Sequence, residues 1–205
     1  MNYDTLATDQ TITKTIAGLN ERGFKGVVVE NKEEAMVKIK EMIPVGASVM
    51  NGSSRTLEQV GCVEYLKSGE HGWNNLHQNI LKEEDKEKQA LLRKYSVISD
   101  YYLGSVHALT KEGEFIIASN TGSQLGAYSY GSPHLIWVVG AQKIVKDLEE
   151  GMRRLHEYVL PLESERANEA YNITNGSFIS KLLIFNREIT PDRVSVIIVN
   201  EKLGF

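Results

Sequence analysis

The sequence predicts an α/β fold: a parallel sheet with helices on its faces. Three observations carry this. Helical and extended patterns alternate through residue 67 in the order helix, strand, helix, strand, helix. Apolar runs such as Val27-Val28-Val29 and Leu135-Ile136-Trp137-Val138-Val139 read as buried strands, which a sheet covered on both sides requires. The 205 residues are 41% hydrophobic, enough for a substantial core in one domain spanning 1–205.

The elements follow in order. Ile12, Ile16 and Leu19 repeat at helical spacing, so residues 2–22 read as a leading helix ended by Gly23. Residues 26–30 form a strand. Asn31 then caps a helix carrying Ala35, Met36, Ile39 and Met42, which Pro44 stops. Residues 47–50 are the second strand and 56–67 the next helix, with Leu57, Val60, Val63 and Leu66 on its apolar face. Residues 68–93 are turn-rich and then strongly charged, either a solvated helix face or a cover over a site. Residues 97–103 read as a strand. Residues 108–110 and 114–118 form a hairpin about Lys111-Glu112-Gly113. Residues 121–130 are small-residue-rich and read as a close-packing helix, and 135–139 as a strand ended by Gly140. Residues 147–158 are helical until Pro161, and 162–171 form a further helix. The tail, 171–205, is a C-terminal β segment with strands at 182–185 and 194–199.

Composition excludes several functions. With 23 basic and 27 acidic residues, the net charge of −4 draws the chain to no polyanion, so nucleic acid is not an expected partner. The single cysteine, Cys62, rules out an intrachain disulfide and a cysteine-built zinc or iron–sulfur site within one chain. It falls on an apolar helix face, as a buried small hydrophobe does. The start has early acids and no long apolar stretch. No run of 18 or more apolar residues follows, so a cytoplasmic protein without a membrane partner is expected. The glycosylation-like triplets at Asn51 and Asn172 are read as chance. His71, His77, His134 and His156 lack metal-ligand spacing, and no metal site is expected.

The candidate site is Asn51-Gly52-Ser53-Ser54-Arg55-Thr56. An apolar strand ends in small and hydroxyl residues, and a helix starts at once. That build can hold an anion, with Gly52 for close backbone approach and hydroxyls from Ser53, Ser54 and Thr56. The same segment also reads as an ordinary turn capped by Ser53 or Ser54. It is neither a Walker loop nor a Gly-x-Gly-x-x-Gly loop. Gly140 and Lys143 follow another strand and share the carboxyl edge of the sheet if the strands are parallel, the edge where such sheets bind ligands. Lys143 then either offers charge to an anion or is a solvated turn lysine. Arg154 and Arg166 read first as structural partners of carboxylates.

Several segments, in order, resemble the lactate-utilisation or LUD-domain family. They include Ile43-Pro44, Gly52 to Leu57, Gly61, Asp100-Tyr101-Tyr102-Leu103, Ala108 to Gly113 and Gly122. Gly131-Ser132-Pro133, Val138 to Val145, Arg154, Pro161-Leu162, Arg166 and the closing Ile198 to Phe205 follow. The resemblance covers nearly the whole chain. It implies a Rossmann-like three-layer α/β/α fold, like that of ribose phosphate isomerase, glucosamine phosphate deaminase and CoA transferases, in which the strand–loop–helix holds a phosphate or carboxylate. It also implies a part in lactate or organic-acid utilisation within a multi-subunit system. His107 stands where relatives often have Asn; it is either a general base or a polar core histidine bonded to a carbonyl. Asp100, in an otherwise apolar strand, reads as a buried carboxylate that orients a loop or serves as the site base. Two departures matter. Relatives commonly carry Gly-Gly-Ser where this chain has Gly52-Ser53-Ser54, and cysteines where 171–180 has none. No cysteine-ligated metal or cluster is therefore carried over, and a redox role requires partner subunits such as iron–sulfur proteins. The expected ligand is a small anionic metabolite, and no cofactor follows from the residues. The alternatives are a stand-alone isomerase or transferase on a phosphorylated sugar or acyl-CoA, and a non-catalytic assembly subunit. A homo-oligomer suits such a fold, though no stretch of sequence defines an interface.

Overall fold

A computed structural model describes residues 2–172 and 174–205. Met1 and Ile173 lie outside the described residues, so the triplet at Asn172 and the cysteine-free segment are read without Ile173. Thr8 opens α1 (Asp9–Glu21) by accepting the Thr11 amide, so the leading helix begins at residue 9 rather than 2. β1 (Lys25–Val29) leads to α2 (Lys32–Met42), where Asn31 accepts the Glu34 amide as the expected cap. β2 (Ser48–Asn51) precedes α3 (Arg55–Gln59) and α4 (Cys62–Ser68). The single helix expected over 56–67 is thus two. Gly61 lies between them at φ 83°, a left-handed backbone that interrupts an α-helix. β3 (Asn74–Asn75), α5 (Leu76–Lys82) and α6 (Lys86–Tyr95) follow. α6 buries none of its residues and is the solvated alternative for that charged stretch.

β4 (Tyr101–Gly104) starts four residues later than expected, after a 3₁₀ turn over Ser96–Ile98. β5 (Ala108–Thr110) and β6 (Phe115–Ser119) form the expected hairpin. The helix expected over 121–130 shrinks to a short segment with a π turn, Ala127–Gly131. The Ser119 hydroxyl accepts the Gly122 amide at 2.8 Å and Gly122 sits at φ 85°, which holds 119–124 as a loop. β7 (His134–Gly140) and β8 (Ile144–Val145) come next. α7 (Leu148–Arg154) then runs through a π turn, Leu155–Val159, into α8 (Leu160–Tyr171). Pro161 therefore breaks nothing. The Leu160 amide reaches back to Leu155 O, and Pro161 stands where the α ladder is already interrupted and no N–H is missed. β9 (Lys181–Phe185) and β10 (Val194–Val199) complete the elements.

Six strands form a parallel sheet in the order β1-β10-β7-β4-β2-β3. Both faces are covered. Val194, Val196 and Ile198 pack with Trp137, Phe24 and Leu19 on one face; Ile197 and Val199 pack with Ile39, Leu57 and Cys62 on the other. Central strands buried on both faces are apolar at nearly every position, which is why β7 and β10 do not alternate. β1 lies at the sheet edge and is not the buried strand expected, with Val28 44% exposed. The three-layer α/β/α organisation holds, with one addition. The hairpin joins β8 and β9 in a second sheet, ordered β8-β5-β6-β9. Leu109, Phe115 and Ile117 of that sheet meet the large sheet, while Ala108, Ile116 and Ala118 meet Leu155 and Val159 behind it. The C-terminal β segment is therefore not one unit. β9 pairs antiparallel with β6, whereas β10 lies between β1 and β7.

A buried ion pair fixes the chain ahead of β7. Arg193 Nη1 meets Glu188 Oε2 at 2.7 Å, with both side chains under a tenth exposed. The rest of the guanidinium donates to Ala127, Tyr128 and Ser132 carbonyls at 3.0 Å. Removing one partner strands a buried charge, so Glu188→Ala is expected to cost about 3 kcal/mol or more in urea denaturation. A loss below about 1 kcal/mol would show the pair to be dispensable.

Candidate functional site

β2, β4 and β7 are neighbours in the sheet, and the segments that follow them all reach one cleft of about 380 Å3. The first segment contributes Gly52 to Thr56, the second Gly104 to His107, and the third Lys143. This is the carboxyl edge of a parallel sheet, where backbone leaving the strands opens a crevice.

Lys143 is 2% exposed, which excludes the solvated-turn alternative. Its Nζ donates to Thr56 Oγ1 at 2.9 Å, Ser105 Oγ at 3.1 Å and the Val106 carbonyl at 3.2 Å. These bonds occupy its three hydrogens, and every acceptor is neutral. Burial and then the nearby Arg154 hold its pKa well below that of an ordinary lysine. Arg154 is fully buried. It donates through Nη1 to the His107 carbonyl, and its guanidinium lies 5.2 Å from the Tyr158 ring centre. Its Nε and Nη2 have no hydrogen-bond partner among the described residues. Burial lowers its pKa to about 10. Neither cation forms a salt bridge among the described residues. The expectation that Arg154 pairs with a carboxylate is therefore corrected; Arg166 does pair, with Glu163 at 2.6 Å.

His107 lines the cleft. Its Nδ1 accepts the Ala118 amide at 3.1 Å, so the hydrogen of the neutral ring sits on Nε2. Burial, then the charges of Lys143 and Arg154, push its pKa down to about 3. The ring thus offers a hydrogen-bond donor at neutral pH. Ser119 donates to Gln124 Oε1 at 2.9 Å, fixing a second hydroxyl-rich loop at the cleft.

The expected site residues separate into three groups. Gly52, Ser53, Ser54, Arg55, Thr56, His107 and Lys143 line the cleft together. Ser54 does so while capping α3 through the Leu57 amide, so the capping alternative and the cleft position coexist in one residue. Arg55 pairs with Glu58 at 2.9 Å. Asn51 sits beneath, its carbonyl bonded to His77 Nδ1. Two expectations fail on position. Gly140 is not at the cleft: it is packed under the C-terminal segment, where a Cβ would meet Leu203 N at 2.7 Å. Asp100 is exposed at the amino end of β4, accepting the Ser48 amide at 2.8 Å and hydroxyl at 2.7 Å. The side-chain bond and then the amide bond from Ser48 hold its pKa low, so it is an ionised clip between β2 and β4, not a buried carboxylate. The charged stretch 68–93 contributes nothing to the cleft, which removes the cover alternative.

Sequence reasoning missed Ser105, Gln124, Tyr128 and Gly204. The signal for the loop was present, since Ser119-Asn120-Thr121-Gly122-Ser123 has the small, hydroxyl-rich character of residues 51–56. Gly204, at φ 63°, packs so closely that a Cβ would lie 2.4 Å from Thr56 Oγ1. Only the folded chain brings these segments together.

The LUD-domain family model matches residues 12–199, and the chain belongs to that family, which is linked to lactate utilisation. Among solved structures, a DUF162 family protein from Deinococcus radiodurans shares the fold with a TM-score of 0.57. It is 13% identical, and the match covers 96% of this chain and 100% of that one. Among curated proteins none matches the chain. Among the described residues no helix is long and apolar enough to cross a membrane.

Gly104 supports the cleft sterically. A Cβ there would stand 1.7 Å from the Tyr128 hydroxyl. Gly104→Ala is expected to cost about 2 kcal/mol or more, in the range of overpacked cores, with part recovered in Gly104→Ala/Tyr128→Phe. Urea denaturation of the pair checks it; equal stability of wild type and Gly104→Ala would refute the contact.

Proposed function

We propose that the chain binds a small anionic metabolite of lactate or related organic-acid metabolism in the cleft formed by residues 52–56, 104–107 and 143. One observation carries the reading: Lys143 is a buried cation at a cleft wall that forms no salt bridge with any carboxylate among the described residues. Its hydrogen bonds are filled but its charge is not, and a buried charge without a counter-charge is costly. An anion in the cleft offsets that cost. The Ser53 hydroxyl and the His107 Nε2–H, on residues that line the cleft, supply directional donors.

The lining favours binding over acid–base chemistry. His107 has its acceptor nitrogen occupied, and the cleft carboxylate Glu163 is held by Arg166. Cys62 is buried, with its thiol pushed up to about 12, so it offers no thiolate to a redox centre. We assign electron transfer in such a pathway to partner subunits.

Thermal shift with lactate, pyruvate and phosphate tests the site, since a ligand of the native state raises its Tm. Ser54→Asp keeps a good helix cap while adding a negative charge to the cleft. It is expected to weaken anion binding at least about tenfold and to leave the unliganded Tm nearly unchanged. Unaltered affinity would remove residues 52–56 from the site.

The pH dependence has a definite sign. Anion binding requires protonated Lys143, so affinity falls as pH rises through its depressed pKa. Without ligand the sign reverses. The unfolded chain holds that proton more tightly, so this group's contribution to stability increases with pH up to the ordinary lysine value. Lys143→Met should abolish both dependences while leaving Tm unchanged or higher. Calorimetric titration across pH reads the first; a flat affinity profile would show that Lys143 does not hold the anion.

A further inference from the structure

We infer that the ligand is an amphiphilic organic anion: a carboxylate or phosphate head near Lys143, joined to an apolar body that lies against Phe178. The inference rests on the anion reading of the cleft and adds the rest of the molecule. The first observation is size. A three-carbon hydroxy acid displaces roughly four water volumes, ~120 Å3, so it leaves most of the 380 Å3 cleft unfilled. The unfilled part, roughly 260 Å3, equals about nine further water volumes of ~30 Å3 each.

The second observation is the origin of the walls. Most polar groups come from the carboxyl edge of the large sheet and from the loop after β6; on α8 the charged lining residues Glu163 and Arg166 are paired with each other. The apolar ones, Leu155, Val159, Ala167, Phe178, Ile179 and Phe205, come from the π turn, α8, the loop after it and the C-terminal segment. The third is Phe178 itself, which is 58% exposed while lining the cleft. An apolar ligand body covering this ring removes both surfaces from water, which drives association in proportion to the area buried. A short, fully polar acid reaches the cation and leaves the ring wet.

Calorimetric titration with four probes tests this: lactate and inorganic phosphate as heads alone, phenyllactate and hexyl phosphate as heads with bodies. Wild type, Phe178→Ala and Lys143→Met are compared. The expected result is that at least one extended probe binds wild type ten times or more tightly than its own head. The head that shows this gain separates a carboxylate from a phosphate ligand. Phe178→Ala, at an exposed position, should fold and lose most of that ratio, and Lys143→Met should weaken heads and extended probes alike. Equal affinity of heads and extended probes for wild type, or a ratio unchanged in Phe178→Ala, would overturn this inference and leave the anion reading standing. Undiminished binding of all probes to Lys143→Met would overturn the anion reading itself.

Discussion

The buried charge of Lys143 is the constraint around which this cleft is organised. Its ammonium ties together the start of α3, the segment leaving β4 and the turn after β7, through Thr56, Ser105 and Val106. Those segments converge because β2, β4 and β7 are adjacent and parallel. The sheet order therefore sets where the charge lies, and the charge sets what the loops can hold. Arg154 sharpens the effect. Burial is the main cause that depresses the pKa of both Lys143 and His107, this second cation lowers both further, and its bond to the His107 carbonyl steadies that segment. The result is a cleft with neutral donors in its lining and two buried basic groups at or behind its wall.

The large sheet was legible because each of its long central strands is apolar at nearly every position, as in Leu135-Ile136-Trp137-Val138-Val139. Asn31 was legible because capping is local chemistry. The second sheet was not. Its strands are short, and β9 finds β6 across more than sixty residues, a pairing no local period announces. Pro161 misled for a related reason: the π turn that accommodates it is a property of the packed helix, not of the dipeptide.

The candidate site divides in the same way. Residues 52–56 were legible from the small-residue turn between strand and helix. Lys143 was legible as a position but not as a buried group, since its burial depends on Thr56, Ser105 and Gly204 arriving from elsewhere. Asp100 looked like a core carboxylate because the neighbouring residues are apolar, yet it lies just before the strand proper and turns to Ser48. Gly140 shares the correct edge of the sheet but faces the C-terminal segment. Edge and facing are separate facts, and sequence order supplies only the first.

The placement of β10 bears on how the molecule is made. β1 has β10 as its one neighbour in the large sheet, pairing Lys25 with Ser195 and Val29 with Val199. A strand formed early in synthesis must therefore wait for residues 194–199 before its backbone amides and carbonyls are paired. Closing so long a loop carries a high entropic cost before any contact rewards it, and folds dominated by such pairings assemble slowly. Until then the edge of β1 is open, although α1 and Phe24 already have partners in the earlier β5–β6 hairpin, through Lys14 with Glu112 and Phe24 with Phe115. During translation that open edge is exposed to wrong pairing.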